Sequence, residues 1–192
     1  MNICVYGASS DVIDKKYITE VEAMGEEMAK RGHALVYGGG AQGLMGAAAR
    51  GMTKGGGKIV GVSPTFFKVD GVLYEKCTEM VYTETMRERK QIMEERSDAF
   101  VMTPGGIGTF EEFFEILTLK QLNRHQKAIA ILNTDGYFDD MINMLKRAAE
   151  GGFMKAETLE LCRAFEDYSE MLDYIEVYKP TEIDIKAMKH IG

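Results

Sequence analysis

Cysteine is scarce in this chain, with three among 192 residues, at Cys4, Cys77 and Cys162. None of them forms a Cys-x-x-Cys pair. An odd, scattered set supplies neither a disulfide framework nor a zinc site and suits a reducing compartment, so these thiols are expected as buried small hydrophobes. The sequence also lacks any apolar run near the roughly 20 residues that cross a bilayer. Its start, "MNICVYG", is a strand-like pattern in place of the basic and then apolar leader of a secreted chain. A cytoplasmic location without membrane contact is the expectation. Positive charge is in deficit as well, 23 Lys and Arg against 30 Asp and Glu, a net charge of -7. Nucleic acids and anionic membranes are held by clustered cations that displace counterions, so affinity for either is not expected. An anionic ligand would have to be held by local groups.

What is present favours a core. With 45% hydrophobic and 28% charged residues, and no repeat, low-complexity tract or linker, the chain reads as one compact domain over residues 1–192. Short apolar runs alternate with longer stretches of helical period, and several runs end in glycine or small residues. Strands are predicted at "NICVYG", "HALVYGGG", "KIVGVSP", "EMVYTE", "DAFVMTP" and "KAIAILN". Helices are predicted over 14–31, 43–55, 85–96, from the "GTFEE" stretch to about 122, and over 137–150. Residues 64–78 read as an irregular connection. A short helix, a brief extended piece near Ala164 and Phe165 and a helix through "YSEMLDYIEVY" follow. The tail from about 180 has few core candidates and is expected to be mobile. Continuous apolar strands joined through helices imply an α/β fold, a Rossmann-like doubly wound parallel sheet with helices on both faces. Its ligand site is expected outside the carboxyl ends of the strands, where the strand order reverses.

Three small-residue loops leave their strands at that edge: "VYGASSD", "VYGGGAQGLMG" and "VMTPGGIGTFEE". A phosphate or ribose packs there without meeting a Cβ, and backbone N–H groups at helix starts satisfy its oxygens. The second loop matches the dinucleotide fingerprint at Gly38, Gly40 and Gly43, but the acid expected about 20 residues later is missing from "KIVGVSP". That argues for a ligand smaller than a dinucleotide. Gly46, Ala47, Ala48 and Ala49 equally suit close helix packing. The third loop lacks the Gly-Lys-Ser/Thr ending of a P-loop, so a metal-dependent ATPase is excluded; neither a metal nor an organic cofactor is expected.

In that third loop Thr109 reads as an N-cap, with Glu112 three residues on completing a capping box. Phe110, Phe113, Phe114 and Leu117 form the core stripe of the helix, and Ile116 and Leu119 a second flank beside Glu112. Glu112 has two readings, a cap or an acid held for chemistry. The segment "TETMRERKQIMEERSD" poses a similar choice. Thr85 and Glu88 form a capping box, and Arg89 and Lys90 share the apolar face of Met86 and Met93. Such cations either snorkel to solvent or meet an anionic partner.

"GGGAQGLMG", "MRERK" and "PGGIGTFEE" in this order, with "SDAFVMTPGG" and "EILTLKQL", resemble the "lonely guy" (LOG) family over roughly residues 1–150. The family was long labelled lysine decarboxylase-like, yet no lysine here has a recognisable cofactor-binding context. The resemblance implies hydrolysis of the N-glycosidic bond of cytokinin riboside 5′-monophosphates, and of AMP in bacterial relatives. It implies Arg89 and Glu112 as the catalytic pair. It implies Lys90, Gly105, Gly106, Ile107, Gly108, Thr109, Thr118, Gly39 and Gly40 as substrate contacts. A homodimer or higher oligomer with sites near the subunit contact is implied too. One position departs from the family: Arg87 stands where a His is common. On this reading the capping box fixes Glu112 in place, Glu112 serves the ribosyl cation and the attacking water, and Arg89 serves the leaving base. The rival reading is a protein that binds such a nucleotide without cleaving it.

Overall fold

The computed structural model of this chain describes residues 1–180; the tail beyond lies outside the described residues. Its strands are β1 (Asn2–Tyr6), β2 (Ala34–Tyr37), β3 (Ile59–Pro64), β4 (Glu79–Thr83), β5 (Ala99–Met102), β6 (Ala128–Leu132) and β7 (Arg163–Phe165). They form one sheet in the order β4-β3-β2-β1-β5-β6-β7, and every pairing is parallel. The helices are α1 (Lys15–Lys30), α2 (Gly43–Lys54), α3 (Met86–Glu95), α4 (Ile107–Gln121), α5 (Asp139–Glu150) and α6 (Tyr168–Val177).

Alternation along each strand feeds two cores. Ile3, Val5, Ala99 and Val101 face the layer of α1, α2 and α6. Cys4, Tyr6, Phe100 and Met102 face α3, α4 and α5. Both faces are covered, which is why the strands read as unbroken apolar runs. The chain builds outward from β1 through β2, β3 and β4, and α3 then returns it to the other side of β1. The order reverses between β1 and β5, and there the loops part to leave a crevice.

Close helix packing explains the small residues of α2. A Cβ on Gly25 would come within 2.4 Å of the Ala48 carbonyl oxygen, and one on Gly51 within 2.0 Å of the Glu22 carbonyl oxygen. Backbone of α1 therefore touches backbone of α2. The second loop has its own task. Its strand ends at Tyr37, three residues earlier than the predicted "HALVYGGG", because Gly39 turns at φ +78. That turn brings Gly40 into an antiparallel bridge with Leu73. Ala41 N–H donates to the Val72 carbonyl at 2.9 Å and Tyr74 N–H to that of Gly39 at 2.9 Å. Part of the irregular connection is thereby fastened beside the crevice.

Candidate active site

The crevice is assembled by backbone bonds between its loops. Ala8 N–H donates to the Pro104 carbonyl at 3.0 Å, joining the loops after β1 and β5. Leu44 N–H donates to the Ala8 carbonyl at 2.8 Å, and Gly43 N–H to Asp11 Oδ1 at 2.7 Å. The donors that open α2 are thus used inside the protein, and the second loop serves construction more than anion binding. At α4 the situation is the opposite. Its N-cap is Gly106, no side chain caps it, and Gly106, Ile107, Gly108 and Thr109 line a cavity. Uncapped amides at a helix start attract an anion.

This corrects the capping box expected at Thr109 and Glu112. α4 begins three residues before the expected start, with Phe110 N–H donating to the Gly106 carbonyl at 3.1 Å. The Gly105-Gly106 pair lets the chain leave an extended cap, Gly106 at φ -94 and ψ -155, directly into the helix. Thr109 lies buried in the first turn, where a Cβ on Gly105 would come within 2.1 Å of its Oγ1. Glu112 is held by its place on the second turn. Phe113, Ile116 and Leu117 anchor that turn in the core, while Phe110 and Phe114 are half-buried. Ile116 belongs to the main stripe, not to a second flank.

The cap of α3 forms as the sequence indicates. Thr85 accepts from Glu88 N–H at 3.1 Å, and the Glu88 carboxylate accepts from Glu84 N–H at 2.9 Å, one residue upstream of the usual return. The helix delivers Arg89 inward, where it is only 8% exposed. Its Nε donates to the Val62 carbonyl at 3.2 Å, and Nη1 lies 3.4 Å from Glu112 Oε1. A Cβ on Gly38 would fall 1.9 Å from Nη2. Arg89 therefore does not snorkel; β3, α4 and the bare Gly38 backbone enclose it. Burial pushes the Glu112 carboxyl up to about 7, against the pull of Arg89. A carboxyl so placed exchanges protons near neutrality.

The cavity measures about 550 Å³, within the usual range for small-molecule sites. Arg89, Glu112, Ser63, Gln42 and Ser9 form its polar part, and Met45, Phe67, Val72, Leu73 and Met86 its apolar wall. Of the residues expected from sequence, the fold brings together Arg89, Glu112, Gly40, Gly106, Ile107, Gly108 and Thr109. Gly105 is buried behind them, and Gly39 is turned toward Met80 and Leu73. Lys90 Nζ bridges Glu111 and Glu115, the latter at 2.7 Å, and does not line the cavity. Thr118 is exposed farther along α4. Phe67, Val72 and Leu73 of the apolar wall were missed because residues 67–73 have no period to read. Gly38 was readable as part of the fingerprint, but its partner Arg89 lies 51 positions away.

With this geometry in view, comparison with known proteins is informative. Residues 45–175 match the family model described as "Possible lysine decarboxylase". The chain is 36% identical to a rice (Oryza sativa subsp. japonica) protein named "Probable cytokinin riboside 5'-monophosphate phosphoribohydrolase", covering 97% of this chain and 76% of the relative. It is 32% identical to a cytokinin riboside 5′-monophosphate phosphoribohydrolase of Arabidopsis thaliana, covering 95% and 85%. Among solved structures, the molybdenum cofactor carrier protein of Chlamydomonas reinhardtii superposes with a TM-score of 0.69 at 20% identity, covering 91% of this chain and 95% of that one. That likeness shows the fold. Model and relatives together place this chain in the LOG family, the group that bears the older description "possible lysine decarboxylase".

Proposed function

We propose that this protein hydrolyses the N-glycosidic bond of nucleoside 5′-monophosphates, a cytokinin nucleotide or AMP, to free base and ribose 5-phosphate. The observation that carries the reading is the enclosed pair of Arg89 and Glu112, 3.4 Å apart beside uncapped helix amides. The names of the relatives in rice and Arabidopsis point the same way.

Cleavage develops positive charge at C1′ and the ring oxygen and negative charge on the departing base. Ionised Glu112 faces the first and takes a proton from the attacking water. Arg89 faces the second. Water oxygen bonds to C1′ as the glycosidic bond breaks, and the proton released ends on the base. A charge pair at about 4 Å and effective dielectric 20 is worth about 4 kcal/mol, roughly a thousandfold in rate if realised only in the transition state. Positioning supplies the rest. The amides of Gly106, Ile107, Gly108 and Thr109, all on the cavity lining, hold the 5′-phosphate. Lys90 would have to leave Glu111 and Glu115 to share that task.

The protein works in the cytoplasm as a homodimer or higher oligomer. The three thiols are free, and Phe67 and Met86 are exposed apolar side chains on the cavity lining, with exposed Phe66 packed against Phe67. Light scattering of the pure protein tests this: a monomer mass at micromolar concentration contradicts it. No helix among the described residues is long and apolar enough to cross a membrane. The activity is tested by incubating the protein with matched nucleosides and nucleoside 5′-monophosphates. Free base and ribose 5-phosphate in equal amounts, from the monophosphates only, is the expected result. Tight binding of monophosphates without base release would favour the rival nucleotide-binding reading.

A further inference from the structure

Tyr137 stands outside the cavity, yet its hydroxyl donates to the Gly105 carbonyl at 2.8 Å. The two residues belong to different loops at the same sheet edge, Gly105 after β5 and Tyr137 after β6. The bond matters because of what Gly105 is joined to. A peptide is planar and trans, so fixing the Gly105 carbonyl sends the Gly106 N–H the opposite way. With glycine on both sides, this peptide lacks the Cβ clashes that limit rotation elsewhere. A Cβ on Gly106 would meet nothing within 4 Å, so packing does not lock that side.

The loop bearing Tyr137 is itself made rigid. Asp135 and Gly136 sit in the left-handed region at φ 50 and φ 69. Asn133 holds both ends of this turn, donating through Nδ2 to Asp139 Oδ1 at 2.8 Å and accepting from Phe138 N–H at 2.7 Å. Thr134 Oγ1 donates to Glu20 Oε2 at 2.5 Å, and Lys16 pairs with Asp135. The Tyr137 ring meets Tyr17 and Phe138 edge-to-face, at centroid distances of 6.1 and 4.8 Å. The ring is half exposed, but its hydroxyl has one direction.

We propose that Tyr137 is a positioning residue for the phosphate end of the cavity: its hydroxyl selects one orientation of the Gly105-Gly106 peptide and so presets the amides that open α4. The inference rests on the reading that those amides hold the 5′-phosphate. Tyr137→Phe keeps the ring contacts and removes the bond. One hydrogen bond of this kind corresponds to about a tenfold change in an equilibrium constant. The test measures ribose 5-phosphate and adenosine binding by calorimetry, and steady-state kinetics on AMP. The expected result for the variant is about tenfold weaker ribose 5-phosphate binding and about tenfold higher KM, with kcat within about threefold and adenosine affinity unchanged. Unchanged ribose 5-phosphate affinity in the variant overturns the positioning role and leaves the phosphate reading standing. Equal losses for ribose 5-phosphate and adenosine overturn it as well, since they report general damage. A parent protein that does not bind ribose 5-phosphate overturns the phosphate reading and the inference together.

Discussion

Glu112 carries an energetic conflict that can be measured without any substrate. Its carboxyl titrates near 4.5 in the unfolded chain and is pushed up to about 7 by burial in the folded one. Between those values the folded state keeps a proton that the unfolded state has lost, so stability falls as pH rises through that window. The full deficit, about 3 kcal/mol, is reached above pH 7. Gln at this position resembles the protonated acid and escapes the penalty. Thermal melts of Glu112→Gln and parent should therefore coincide near pH 4.5 and diverge toward pH 8, with the variant melting higher. A variant that melts lower at pH 8 would contradict the raised value. In the proposed mechanism activity has the opposite slope, with ionised Glu112 as the working form, and kcat/KM should climb through about pH 7. Gly38 offers a second probe. Gly38→Ala places a Cβ where the Arg89 guanidinium lies, 1.9 Å from Nη2. A displacement of about 1 Å in a reacting group lowers turnover about a hundredfold, while nucleotide binding through the α4 amides should persist. Unchanged turnover in Gly38→Ala would remove Arg89 from the mechanism.

Individual elements divide between building and chemistry. α1 and α2 touch through glycine, and Gly51→Ala, with its Cβ 2.0 Å from the Glu22 carbonyl oxygen, should destabilise by about 1–3 kcal/mol. Turnover per folded molecule should not change, since Gly51 does not line the cavity; urea unfolding beside an activity assay checks both. α3 and α4 bring Arg89 and Glu112, the proposed catalytic pair, together, and the two helices are also joined by Lys90 between Glu111 and Glu115. Much of this was legible in the sequence. The apolar periods gave the six helices and the order of the strands along the chain, while the cations on the apolar face of α3 left open a choice between solvent and an anionic partner. The fold resolves that choice differently for each, Arg89 meeting buried Glu112 and Lys90 the exposed Glu111 and Glu115. The start of α4 was misplaced because Thr-x-x-Glu is a strong local signal, whereas the Gly105-Gly106 pair allows an earlier start that only the sheet edge selects. Lys120 was not legible at all. It lies buried on α4, and its Nζ donates to the Leu161 carbonyl at 2.8 Å while burial pushes its pKa down to about 8. The acceptor is a backbone atom 41 residues away, with no sequence signature.

Across the whole molecule, strand order decides where chemistry takes place. Reversal between β1 and β5 opens the crevice, and the loops after β1, β2 and β5 converge there from segments a hundred residues apart in the sequence. The same architecture, at 20% identity, appears in a molybdenum cofactor carrier, so the fold alone specifies no reaction. In the proposed function the acid, the cation and the open helix end within one cavity are what serve hydrolysis. The most direct measurement compares parent and Glu112→Gln in a single-turnover reaction with N6-isopentenyladenosine 5′-monophosphate, quantifying free base and ribose 5-phosphate. Parent protein should release both in equal amounts, and the variant should bind the nucleotide normally but release base about a thousandfold more slowly. Equal release rates in the two proteins, or no release by the parent, would contradict the account.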